Sequence, residues 1–130
     1  MAVIGVGIDL VEIARAERML VRKGDQAMER ILTPGERAYV RSKAQPARHF
    51  AARFAAKEAA YKALQSLPGA RAIGWQDIEV VSTESGRPLV TLHGVAREVT
   101  TAAGGATIHL SLTHTDLTAG AVVVAESGPG

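Results

Sequence analysis

Two carboxylates stand where the local pattern has no use for them. Asp9 interrupts an apolar run near the amino terminus, and Glu58 falls among the aromatic and alanine positions of a long helical stretch. At 100° per residue, Phe50, Ala51, Phe54, Ala55 and Tyr61 all lie within about 80° of Glu58, which puts it in the middle of a packing face. An unanswered carboxylate there costs several kcal/mol or takes up a proton, so something positive must compensate it. Lys62, one turn further along the same face, can supply part of that charge, and a divalent cation could supply more. A third departure is a polar stripe in which Thr107, His109, Ser111 and Thr113 alternate with Ile108, Leu110 and Leu112. One face of that strand therefore carries imidazole and hydroxyls, and it meets either water or a site. Ordinary alternatives stand beside each reading: Asp9 bonding nearby amides, Glu58 and Lys62 forming a helix pair, His109 satisfied within its strand.

The elements that must position these groups follow from periodicity. Residues 2–11 read as a buried strand with Ile4, Val6, Ile8 and Leu10 on one face and Gly5, Gly7 and Asp9 on the other. Helical spacing follows over 12–23, closed by Gly24, and a short helix is expected over about 26–32. Thr33-Pro34-Gly35-Glu36 has the form of a capping box with proline at the first helical position, which predicts a helix over 34–42. Pro46 opens the longest helix, to about residue 67, before Pro68 and Gly69. Period two then takes over. Strands are expected at 78–83 and 89–93 around a hairpin composition, a short helix at 94–103, and a second strand pair at 107–114 and 118–125. Helices early and strands late indicate an α+β domain with a small, mainly antiparallel sheet packed against a long helix. A single domain over residues 1–126 is expected, with 127–130 as a disordered tail.

Composition narrows the chemistry. The 130 residues, 47% hydrophobic, are enough for one globular core. The absence of cysteine excludes disulfides and thiolate metal sites, leaving oxygen or imidazole for any metal. The amino-terminal apolar run is broken by Asp9, too soon for a signal peptide or a membrane span, so a cytoplasmic protein without a membrane is the expectation. Residues 1–65 hold twelve Lys or Arg against seven Asp or Glu, and the remainder three against six. Such asymmetry fits an anionic partner for the first half: nucleic acid, a phosphorylated small molecule or an acidic protein.

Two motifs are set aside. Gly5 and Gly7 lie inside a strand and Leu10 occupies the third position of a dinucleotide fingerprint. Ser111, His114 and Asp116 lack the context of a hydrolase triad. An RNA-binding module using Arg15, Arg18, Arg22 and Lys23 would need stacking platforms, but the aromatics are few and Phe50, Phe54 and Tyr61 read as core. Nucleic acid is therefore not expected as a partner.

Taken in order, Gly5-Val6-Gly7-Ile8-Asp9, Arg53-Phe54-Ala55-Ala56-Lys57-Glu58-Ala59 with Lys62, Gln76-Asp77-Ile78-Glu79-Val80, Gly86-Arg87-Pro88 and His109-Leu110-Ser111-Leu112-Thr113-His114 resemble holo-acyl-carrier-protein synthases. These are the short, single-copy class of the 4′-phosphopantetheinyl transferase superfamily, and the resemblance spans nearly the whole chain. It implies that superfamily's fold, and transfer of 4′-phosphopantetheine from coenzyme A to a serine of an acyl carrier protein or carrier domain, in fatty acid or polyketide biosynthesis. Asp9 and Glu58 are implied as ligands of Mg²⁺, with Mn²⁺ possible on the same oxygens, and Lys62 as the phosphate contact. His109 is implied at the substrate. Coenzyme A would be held by Arg53, Lys62, Gly86, Pro88, His109 and Arg48. Larger relatives often carry another acid two residues beyond Asp9, where this chain has Val11. Arg15, Arg18 and Arg22, at i, i+3 and i+7, line one side of the first helix and suit an acidic carrier. A homotrimer with sites shared between subunits is the implied assembly. Its apolar contact surface is expected on the late strands, at Val90 and Leu92 and at residues 121–124.

Overall fold

A computed structural model describes residues 1–128. The elements run β1 (Val3–Glu12), α1 (Ile13–Lys23), α2 (Asp25–Ile31), α3 (Pro34–Arg41), α4 (Pro46–Leu64), β2 (Ile78–Ser82), β3 (Pro88–Leu92), α5 (Gly94–Ala102), β4 (Ala106–His114) and β5 (Thr118–Ser127). Two 3₁₀ turns, Ala70–Ala72 and Trp75–Asp77, join α4 to β2. The chain is α+β, and every strand pair is antiparallel, but the strands form two sheets: β1-β5-β4 and the hairpin β2-β3.

Local sequence explains most boundaries. The Thr33 hydroxyl accepts from the Glu36 amide at 3.2 Å while the Glu36 carboxylate accepts from the Thr33 amide at 2.9 Å, so the capping box opens α3 as expected. Alpha4 stops at Leu64 rather than at about residue 67. Beta5 reaches Ser127, inside the stretch expected to be a disordered tail, because the chain ends tie together there. The Ser127 amide donates to the Ala2 carbonyl at 2.7 Å, and the Ala2 amide donates to the Ser127 hydroxyl at 2.9 Å. Pro129 and Gly130, the rest of that expected tail, lie outside the described residues.

Beta1 turns its glycine face, rather than its apolar face, toward the core. Val6, Ile8 and Leu10 are 59%, 64% and 67% exposed, while the face with Gly5, Gly7, Asp9 and Val11 packs inward. The reason is α4. A Cβ at Gly5 would overlap the carbonyl oxygen of Ala63, and one at Gly7 the carbonyl oxygen of Ala59. The glycines thus leave room for the helix backbone.

On the same inner face Ala119, Ala121, Val123 and Ala125 of β5 are buried, and Ala51, Ala55, Ala59 and Ala63 of α4 are buried in the same core. Alanines on both surfaces allow a close approach at native packing density. Phe50, Phe54, Ala56, Ala60 and Leu64 are buried as well, so α4 is a core helix covered on most sides rather than an amphipathic one with a single packing face. Glu58 and Tyr61 are only half-buried.

Candidate active site

The β1–α4 seam places Asp9 and Lys62 together. Lys62 Nζ donates to the Ile8 carbonyl at 3.0 Å and lies 3.4 Å from Asp9 Oδ1. It therefore answers Asp9, not Glu58 as the helix spacing suggested, because β1 presents both a carbonyl and a carboxylate at the right height. Glu58 stands one turn before Lys62 and opens onto a cleft of about 410 Å³ lined by Tyr61, Arg71, Ile73, Gly74, Trp75 and Ile78. Among the described residues it has no side-chain hydrogen bond or ion pair.

This donor set suits a hard divalent cation. Asp9 is mostly buried and its ammonium contact is long, while Glu58 lines the cleft and has no side-chain partner among the described residues. No group of three or more His, Cys, Asp or Glu forms a metal cluster among the described residues. A cation held by two carboxylates must complete its shell with substrate oxygens and water, which is the coordination habit of Mg²⁺.

Immediately before Glu58 lies a group the sequence reading passed over. Lys57 is 1% exposed; its ammonium pairs with Glu36 Oε1 at 2.8 Å and donates to the carbonyls of Trp75, at 2.9 Å, and Ile78. Glu36 Oε2 accepts from the Val80 amide at 2.8 Å. Burial pushes the Lys57 ammonium below its ordinary value, opposed by the Glu36 charge. A buried lysine beside a motif glutamate and a capping-box glutamate were the available signals, but nothing local pairs residues so far apart.

Arg48, Arg53, Gly86 and Pro88 meet at a second cavity of about 230 Å³, while Lys62 and His109, expected at the same ligand, do not line it. Tyr39, His49, Ser82 and His114 line it too and were missed by the sequence reading. Arg53 is buried, its guanidinium carbon 4.0 Å from the Tyr39 ring centroid, with one nitrogen donating to the Ser82 hydroxyl at 3.3 Å. The Nε atoms of Arg48 and Arg53 are buried without partners. Such orphaned donors in a cationic pocket are suited to an anion. Burial and then the charges of Arg53, Lys43 and Arg48 hold His49 below its ordinary value, while Tyr39 is lowered by a hydrogen bond with Ser82 and by Arg53 and Lys43.

Arg15, Arg18 and Arg22 do share one surface. With Lys23, Gln26 and Arg30 they rim a groove of about 670 Å³ between α1 and α2, floored by Met19, Ala27, Ile31, Phe54 and Trp75. His109 is brought by the single chain to neither the seam nor the second cavity. It lies on the outer face of β4, opposite Val124 of β5 and 3.4 Å from Glu126, whereas Asp9 points to the inner face.

Comparison with known proteins identifies the family. The family model for the 4′-phosphopantetheinyl transferase superfamily matches residues 5–119. A holo-[acyl-carrier-protein] synthase of Solibacter usitatus is 44% identical, covering 96% of this chain and 99% of its own. One from Alkalilimnicola ehrlichii is 48% identical over 96% and 98%. Among solved structures, the Bacillus anthracis holo-(acyl-carrier-protein) synthase in complex with CoA (3′,5′-ADP) superposes with a TM-score of 0.79 at 35% identity, over 98% of this chain and all of that one. The Mycobacterium tuberculosis acyl carrier protein synthase gives 0.72 at 42% identity, over 96% and 98%. The chain belongs to the 4′-phosphopantetheinyl transferase superfamily and, within it, to the holo-[acyl-carrier-protein] synthases.

Proposed function

We propose that this chain transfers 4′-phosphopantetheine from coenzyme A to a serine of an apo acyl carrier protein or carrier domain, as a step of fatty acid or polyketide biosynthesis. What supports the reading is the β1–α4 seam, where Lys62 meets Asp9 one turn from Glu58, in a chain that also carries a cationic cavity and a basic groove. In the reaction the carrier serine oxygen bonds to the pantetheine-bearing phosphorus as its bond to the bridging oxygen breaks. Adenosine 3′,5′-bisphosphate leaves and the serine proton passes to solvent or to Glu58. A bound Mg²⁺ would be held by Asp9 and Glu58 and would supply charge stabilisation at the pyrophosphate oxygens. Lys62 contributes a point charge toward the phosphate, positioned by the Ile8 carbonyl. Arg48 and Arg53, with Gly86 and Pro88 at the loop, bind the nucleotide end. Arg15, Arg18 and Arg22 receive the acidic carrier.

The same reading includes a homotrimer. Its support is the outer sheet face, where Val6, Ile8, Leu10 and Val122 are all exposed and lie on two adjacent strands, β1 and β5. Contiguous apolar surface of this kind is uncommon on a monomer. It overlaps the expected surface only in part, through Val122: Ala121 and Val123 are buried inward, and Val90 and Leu92 are half-buried. A shared site also accounts for two separations. Arg53 and Lys62, nine residues apart on α4, lie on opposite sides of the helix and roughly 14 Å apart along its axis, more than one ribose spans. His109 sits on the far sheet face and would serve a neighbour's site.

Intact-mass measurement of an apo carrier incubated with coenzyme A and Mg²⁺ tests the activity, the expected result being one added phosphopantetheine. Asp9→Ala and Glu58→Ala should each abolish the shift while keeping the far-ultraviolet circular dichroism of the fold. Wild-type rates from either variant would remove both from the metal site. For the assembly, inactive Glu58→Ala and His109→Ala proteins are mixed under subunit exchange. Partial recovery is expected, and none after confirmed exchange would return these two residues to one subunit.

A further inference from the structure

Trp75 is the chain's one tryptophan, and it lines two cavities at once: the cleft onto which Glu58 opens and the arginine-rimmed groove of α1 and α2. It is held from several directions. Its ring centroid is 5.1 Å from that of Phe54, over which the Arg15 guanidinium carbon sits at 5.6 Å. Its carbonyl accepts from Lys57, the neighbour of Glu58 in sequence, at 2.9 Å. The 3₁₀ turn that carries it is closed by the Gly74 amide donating to Asp77 Oδ2 at 2.9 Å, and Gln76 Nε2 anchors it to the Leu32 carbonyl at 2.9 Å. A large ring fixed on both its side-chain and backbone sides is a rigid wall. On one side of that wall is the surface suited to an acidic protein, and on the other the carboxylate suited to the cation.

Resting on the function proposed above, we propose that Trp75 is a positioning and specificity residue: one indole contacts both bound substrates and sets how deeply the seated carrier presents its serine toward the centre beside Glu58. The physical reason is pre-organisation. A carrier held only by arginines at a groove rim keeps rotational freedom, whereas a rigid apolar wall at the groove floor fixes its depth relative to the reacting phosphate. The amphipathic ring suits this place, since its faces pack aliphatic groups of carrier or pantetheine while its N–H stays available to water or a polar group.

Because no other indole is present, the wild-type protein reports on the idea directly. Its emission, excited selectively and corrected for nucleotide absorbance, is titrated with three additions: a tryptophan-free apo carrier alone, coenzyme A with Mg²⁺ alone, and Mg²⁺ alone. Calorimetry measures each affinity in parallel. The expected result is a saturating change with carrier and another with coenzyme A, each following its calorimetric isotherm. Trp75→Ala should lower kcat/KM for the carrier about tenfold or more, with Trp75→Phe restoring most of it, as a misplaced nucleophile requires. Emission that ignores either ligand while calorimetry shows it bound overturns the shared-wall inference and leaves the proposed function standing. Absence of calorimetric binding by the carrier means the proposed function has failed, and the inference falls with it. If Trp75→Ala does not fold, the wild-type emission and the phenylalanine variant decide.

Discussion

Replacing Lys57 by methionine should be among the most damaging single changes outside the seam cluster. The substitution keeps an unbranched apolar stem of similar reach and removes only the ammonium. It leaves the Glu36 carboxylate fully buried with two amide donors and no cation in contact, and takes the donor from the carbonyls of Trp75 and Ile78. Breaking a buried pair in this way costs about 3–5 kcal/mol. A ceiling on the charge part comes from neutralisation, since protonating an ordinary glutamate at pH 7 costs about 1.36 × (7 − 4.3), or roughly 3.7 kcal/mol. With about 5–15 kcal/mol of total stability, such a loss brings the fold near its limit. At roughly 4 °C per kcal/mol for a chain of this size, Tm should fall by ~12–20 °C. Removing both charges with Lys57→Met and Glu36→Gln should cost less than the sum of the single changes, because no lone buried charge remains. The assay is urea unfolding at one fixed protein concentration, so that self-association does not enter the comparison. A single-variant loss below about 1 kcal/mol, or strict additivity in the double variant, would refute the view that this pair fastens α3 and the turn before β2 to α4.

Gly7→Ala should cost about 1–3 kcal/mol or more by pushing β1 off α4, and should cut transfer far more than stability alone explains; equal thermal stability and full activity would contradict the backbone contact. His49 is held below its ordinary 6.5, so the unfolded chain takes its proton more readily and its contribution to stability is present above that value and lost as pH falls through and below it. A phosphate bound beside Arg48 and Arg53 reverses the preference, so coenzyme A affinity should strengthen from about pH 7 to about pH 6, and His49→Gln should flatten that slope in calorimetry. Charge reversal of Arg18 and Arg22 together should raise KM for the carrier roughly tenfold and leave that for coenzyme A unchanged, with wild-type carrier KM rising with salt; salt-independent carrier kinetics would remove α1 from the docking surface.

Much of this was legible because it is local. The capping box at Thr33, the punctuation at Gly24, Pro34 and Pro46, and the strand alternation around His109 are all short-range signals, and each of those elements begins within one residue of where expected, although α4 ends early. Sidedness was not. Alternation in β1 shows that one face is apolar, but whether that face meets the chain's own core depends on what packs against the other. Gly5 and Gly7 were accepting a helix backbone. Glu58 and Lys62 were correctly placed on one side of α4, yet the partner of Lys62 comes from β1, at a separation no helix spacing encodes. The second cavity gathers Tyr39, His49, Ser82 and His114 from four separate stretches, and only its arginines and its loop were indicated, by the family resemblance rather than by any local pattern. Lys57 was hidden for the opposite reason: it sits inside a motif whose neighbour carried the chemical interest.

The contact of Gly5 and Gly7 with the carbonyls of Ala63 and Ala59 makes the gauge of the seam a mechanical stop. In most sites the gap between two catalytic elements is a sum of side-chain radii, so it breathes with rotamer hops and drifts as core residues are exchanged. Here the two glycines face main-chain carbonyls, so no side-chain rotamer of theirs sets the gap. Sequence change elsewhere in the core can therefore accumulate, alanine for serine or valine for isoleucine, while the spacing of Asp9 from the helix bearing Glu58 stays the same. Only the loss of a glycine resets it.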